Sequence, residues 1–99
     1  MLSSTELPPL KFNTAVTKLP FQAPTAQIGW LHSQAAKPGA SFDVTIRDAL
    51  GRIKMERKNC KSDTTDFGEL VKTPTVIGEK LEVEVSNLKG ADELVLFLN

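Results

Sequence analysis

Apolar and polar residues alternate with period two through the last two-thirds of the chain, in short stretches separated by Gly, Pro, Asn and Asp. Phe42-Asp43-Val44-Thr45-Ile46-Arg47 and Lys80-Leu81-Glu82-Val83-Glu84-Val85 each carry one apolar stripe and one charged stripe. Successive side chains of a strand point to opposite faces, so this spacing predicts half-buried β-strands. Residues 26 to 32 form an earlier candidate, with Ala26, Ile28, Trp30 and His32 on one side and Gln27, Gly29 and Leu31 on the other. Asp48-Ala49-Leu50-Gly51 reads as the turn of an antiparallel hairpin, after which Ile53 and Met55 resume the alternation. Lys58 to Asp66 reads as a polar loop with Cys60 at its centre, and Phe67 to Val71 as a short strand stopped at Thr73-Pro74. Leu81, Val83 and Val85 alternate, Asn87 to Asp92 turns the chain, and Glu93 to Leu98 returns as a nearly continuous apolar run suited to a central strand. Six to eight strands at this spacing predict an all-β chain, a single antiparallel β-sandwich of the immunoglobulin-like or jelly-roll-like kind.

The first 24 residues break the pattern. They hold four of the six prolines, Pro8, Pro9, Pro20 and Pro24. Proline lacks a backbone donor and restrains its predecessor to extended conformations, which excludes a helix or a central strand here. The reading is an extended arm over 1–24 followed by a sandwich domain over 25–99. Leu10, Phe12, Val16, Leu19 and Phe21 make the arm too apolar for a solvated tail, so they need a surface to cover. Either they fold back, with Leu10, Phe12, Thr14 and Val16 as an edge strand, or they bind a partner. Extended, 24 residues reach about 80 Å, beyond the diameter of so small a domain.

With 99 residues there is room for one domain and one core. Twelve basic and twelve acidic residues cancel, so no long-range field steers the chain to nucleic acid or to an anionic membrane. Cys60 is the only cysteine, which excludes an intrachain disulfide and points to cytoplasmic assembly. Neither a signal-like leader nor a bilayer-spanning run is present, so no membrane association is expected.

Groups for chemistry are sparse. His32 is the only histidine, and a Cys60–His32 nucleophile pair would join dissimilar segments without a third member. Read blandly, Cys60 is a loop thiol and His32 an amphipathic residue beside Trp30. Asp63, Asp66 and Glu69 could offer oxygens to a calcium ion, but the set lacks the density and the turn glycine of such loops, and capping by Asp63 or Thr65 is the better reading. No metal and no cofactor are expected. Arg52, Lys54, Arg57, Lys58 and Lys61 form the one basic cluster, either a ligand edge or the wet face of a strand protected against edge pairing. Trp30 is either a sandwich-core tryptophan or a sugar-stacking platform. With no tyrosine in the chain and the other aromatics in apolar stripes, nucleic-acid binding by stacking is disfavoured.

The stretch KPGASFDVTIRDALGR, residues 37 to 52, resembles the strand, turn and strand of immunoglobulin-like and related jelly-roll-like β-sandwich modules. Such modules occur in cell-surface proteins, in sugar-binding domains and in accessory proteins decorating phage heads and tails. The resemblance implies the architecture only. It transfers no site residue, and the paired cysteines of antibody-type domains are missing.

These readings converge on a non-enzymatic structural or interaction protein: a phage capsid decoration, cement or other virion accessory protein. The protein partner would be a capsid or other assembly subunit, held by the arm laid along its sheet edge, with homo-oligomer formation as a variant. The chain would then reside in the virion after assembly in the host cytoplasm. The competing reading is a carbohydrate- or ligand-binding module, cytoplasmic or at a cell surface, that uses Trp30 or the edge formed by Arg52, Lys54, Arg57 and Lys58.

Overall fold

The structure, a computed structural model, describes residues 5–12, 15–37, 39–62 and 69–99, with 69 and 70 by backbone alone. Among the described residues, nine strand segments make two antiparallel sheets: β1 (Thr5–Glu6), β2 (Leu10–Lys11), β3 (Val16–Gln22), β4 (Gln27–Gln34), β5 (Ser41–Asp48), β6 (Ile53–Lys61), β7 (Glu69–Pro74), β8 (Lys80–Lys89) and β9 (Glu93–Leu98). The first sheet runs β1-β9-β4-β7, with β2 also on β9; the second runs β3-β8-β5-β6. Counting β1 and β2 as one strand leaves eight positions, four in each sheet. Every connection between them except the β5–β6 hairpin passes from one sheet to the other. That order is a jelly roll's, whereas an immunoglobulin sandwich keeps its first two strands as neighbours in one sheet.

The two inner faces supply the core. Leu94, Leu96 and Leu98 of β9 with Ile28 and Leu31 of β4 meet Phe42, Val44 and Ile46 of β5 with Leu81, Val83 and Val85 of β8. Such alternation is what the hydrophobic effect selects when one face of each sheet is removed from water.

Strands β1, β2 and β3 belong to this sandwich, so the described part of the segment folds back in cis and no boundary falls at residue 24. β1 and β2 pair with β9, and β3 pairs with β8 through seven registered positions from Val16↔Ser86 to Gln22↔Lys80. Leu7 and Leu10 are buried in the core; Phe12, Leu19 and Phe21 pack against it half-buried; Val16 remains exposed. The prolines shape this path without excluding it. Pro8 and Pro9 break the first strand in two, with Leu7 and Phe12 donating to Leu96 and Asp92 on either side at 2.9 Å. Pro20 sits in β3, an edge strand, where a missing donor is tolerated. Thr14, expected in an edge strand, lies outside the described residues.

Several β-bulges change which side chains face inward. Between Phe42↔Cys60 and Val44↔Arg57, β6 contains one residue more than β5, and Asn59 adopts φ 57° there. Counting by twos from Met55 would face Asn59 inward. The extra residue turns Cys60 and Ser62 into the core instead. Cys60 is therefore a core residue of β6, not the loop thiol expected, and it lies opposite Phe42. β8 does the same between Ser86 and Lys89, with Asn87 at φ 53° and Leu88 packed on the core. In β4, the N–H groups of Gly29 and Trp30 both donate to the Asn99 carbonyl, at 2.8 and 2.9 Å, and the inward position moves from Ile28 to Leu31.

Among the described residues, each sheet edge is blunted. The β1/β2 edge is broken at Pro8-Pro9, β3 carries Lys18 and Pro20, and β7 carries Lys72 at φ 39° and ends on Pro74. β6 carries two irregular pairings and several cations. Edges of this kind resist pairing with another chain's strand.

Candidate functional site

One end of the sandwich gathers four exposed aliphatic side chains: Leu50 at 77% and Ile53 at 54% exposure on the β5–β6 hairpin, with Val76 at 70% and Ile77 at 71% on the β7–β8 loop. The two loops share this end because Asp48 registers with Leu81 at the start of β8. The Lys54 ammonium meets the Glu79 carboxylate at 3.1 Å and links them directly.

Both loops are internally bonded. In the hairpin, Asp48 Oδ1 accepts from Leu50 N at 2.9 Å and from Arg52 N at 3.0 Å, while its Oδ2 accepts from Arg52 Nε at 2.7 Å. Gly51, at φ 81°, completes a three-residue loop that an L side chain would strain. The bulge between Ile46 and Arg47 in the β5–β6 pairing then separates Ile53 from Met55, so Met55 is buried while Ile53 faces water. In the other loop, Glu79 Oε1 accepts from Val76 N at 3.0 Å, and Glu79 N donates to Val76 O at 2.8 Å. Gly78 N and Thr75 N tie the loop to the carbonyls of Ala23 and Ala26. Hydrogen bonds from Val76 and Lys54 hold the Glu79 carboxyl below its ordinary pKa. With the backbone and charges satisfied internally, the apolar tips are held outward on ordered turns.

The outer faces of the two sheets differ sharply. On the central strands β8 and β5, the second sheet presents Lys80, Glu82, Glu84, Ser86 and Arg47, with Lys18 reaching Glu84 at 3.7 Å. This is the solvated stripe expected of Glu82 and Glu84. On β4 and β9, the first sheet presents Trp30, His32, Gln34, Val95 and Phe97. His32 and Phe97 lie opposite each other with ring centroids 5.8 Å apart. The His32 Nδ1 is buried and has no hydrogen-bond partner among the described residues.

Trp30 is thus outside the hydrophobic core, half-buried on an outer sheet face. The bulge at Gly29–Trp30 puts it there. The ligand edge expected of Trp30 with Arg52, Lys54, Arg57 and Lys58 is not assembled, because Trp30 belongs to the first sheet and the cations to the second. Nor is the cluster a free cationic patch: Arg52 pairs with Asp48, Lys54 with Glu79, and Arg57 Nη1 donates to the Glu56 carbonyl. His32 faces outward on the first sheet and Cys60 inward on the second, so the two do not form a nucleophile pair. Asp63 and Asp66 lie outside the described residues, as does the side chain of Glu69.

Of the five arm residues assigned to partner binding, Leu10 is in the core, Phe12, Leu19 and Phe21 pack against it, and only Val16 is exposed. The loop-end residues were missed. The available signal was Leu50 beside Gly51 and Val76-Ile77 before Gly78: apolar residues at positions where turn chemistry demands exposure.

No protein-family model matches the chain, and no curated protein matches its sequence.

Proposed function

We propose that the chain is a non-enzymatic interaction protein, in its most concrete form a virion decoration or accessory protein, which docks on a protein partner through its loop end. One observation carries this reading: Leu50, Ile53, Val76 and Ile77 are strongly exposed together on two loops clamped by Lys54 and Glu79. Holding apolar tips outward on ordered loops lowers the entropy lost when they are buried. The blunted edges favour side-chain docking over strand addition, and the pairing of β1, β2 and β3 within the sandwich argues against an arm as anchor. Support for the virion setting is fold-level analogy, since jelly rolls recur in capsid and lectin domains.

Magnitudes shape the proposal. Complete burial of four aliphatic side chains yields at most about 6–12 kcal/mol gross. Lost translation and rotation cost about 4–15 kcal/mol, so a single contact is weak. Repeated attachment of an oligomer to a lattice overcomes that weakness by avidity, which suits a decoration protein better than a monovalent binder.

A photo-crosslinking residue at Ile77 should trap one partner protein in the native assembly, whereas the same residue at Lys18 on the charged outer face should not. Equal trapping at both positions, or none at Ile77, refutes docking by the loop end.

A further inference from the structure

We propose that the outer face of the first sheet is a binding platform for a neutral oligosaccharide, with Trp30 as its stacking ring. This site is separate from the loop-end docking surface and does not rest on it. Trp30 and His32 stand outward along β4, and Phe97 and Val95 beside them on β9, all half-buried. Its rings are half-buried, unlike the strongly exposed side chains of Leu50 and Ile77. Register pairs Gln34 with Val95 at its far end, where a depression of about 370 Å³ is lined by these two with Ala35, Ala36, Asp92 and Glu93.

The chemistry selects the occupant. A pyranose presents C–H faces that pack on aromatic rings and hydroxyls that seek planar amide and carboxylate groups. The strip supplies both, with aromatic floor at Trp30 and Phe97 and the Gln34 amide and two carboxylates at the far end. Outward side chains on β4 and on β9 from Val95 to Phe97 carry no fixed charge, and the flanking strands border them with both signs, Glu6 opposite Phe97, Lys11 opposite Glu93, and Lys72 on β7. A border of mixed sign selects neither a polyanion nor a polycation. A neutral, hydroxyl-rich chain satisfies each of these conditions.

Trp30 is the only tryptophan, so its emission reports on this face alone. Titrating the full chain with cellohexaose, maltohexaose and chitohexaose at millimolar concentrations should give a saturable spectral shift with at least one of them. By calorimetry, Trp30→Ala should weaken that binding at least tenfold and Trp30→Phe by less, while Gln34→Ala should weaken it several-fold. Leu50→Glu should leave it unchanged, although it abolishes partner docking. No shift with any of the three sugars overturns the proposal. So does an emission change driven by protein concentration alone, which would make the face a contact between copies, or undiminished sugar binding by a folded Trp30→Ala variant.

Discussion

The Asp43 carboxylate accepts the backbone N–H of Asn59 at 3.0 Å, and Asn59 is the left-handed residue of the β6 bulge. Its other oxygen accepts from Asn87 Nδ2 at 2.7 Å, the left-handed residue of the β8 bulge. One side chain on central strand β5 therefore holds the irregularities of both neighbouring strands. Those irregularities aim Cys60, Ser62 and Leu88 at the core.

Replacing Asp43 with Ala should release both bulges together. Thermal unfolding should shift to lower temperature by more than in Asn87→Ala, which removes one of the two contacts. A double variant no less stable than Asp43→Ala alone would show that the Asn87 bond acts only through Asp43.

Asn59 contributes its N–H to this clamp, which glycine retains. Asn59→Gly should leave the melting temperature nearly unchanged. Asn59→Val places a β-branched residue at positive φ, a strain of about 1–2 kcal/mol, and should lower the melting temperature by roughly 4–16 °C.

Acid should weaken the fold through the same groups. The Asn59 N–H and the Asn87 amide lower the Asp43 pKa below its ordinary 3.8, and Val76 and Lys54 lower Glu79 below 4.5. Groups depressed on folding bind fewer protons in the native state, so their stabilisation is complete above the ordinary values and is lost as pH falls through the lower native ones. Denaturant midpoints measured downward from pH 6 should fall below pH 4.5, and Asp43→Asn with Glu79→Gln should flatten that decline.

Leu10 tests the role of the N-terminal segment. Leu10→Ala should cost about 2–5 kcal/mol, a large share of the roughly 5–15 kcal/mol that such a domain possesses. A chain beginning at residue 25 loses β1 to β3, exposes β8 and β9 along their length, and should show no cooperative unfolding transition. A folded truncated domain would contradict the topology.

Buried Cys60 should react with a thiol reagent only through opening of the fold. Labelling of the native protein should be far slower than of the unfolded chain, and Asp43→Ala should accelerate it by loosening the strand that carries the thiol.

The sequence made the strands legible wherever alternation is uninterrupted: β5, β8 from Leu81 to Val85, β9 and the hairpin turn at Asp48–Gly51. It misled wherever a bulge changes the count. A period of two places Trp30 with Ile28 and Ile53 with Met55 across an inserted residue, and the polar composition of Lys58 to Asp66 hides the strand that carries Cys60. A bulge is fixed by backbone pairing with strands distant in sequence, so local spacing carries little trace of it. The first 24 residues were misjudged for a related reason. Proline density argues against a central strand, and β3 is an edge strand, where one proline costs little. Exposure of the loop tips depended on Lys54 meeting Glu79 across 25 positions, a relationship no window of sequence displays.

The blunted margins have a consequence in concentrated solution. Sandwiches with long straight borders template one another into fibrils when crowded. Here Pro8, Pro9, Pro20 and Pro74 interrupt three of the borders and Asn59 buckles the fourth, so concentrating the protein should produce no fibrils.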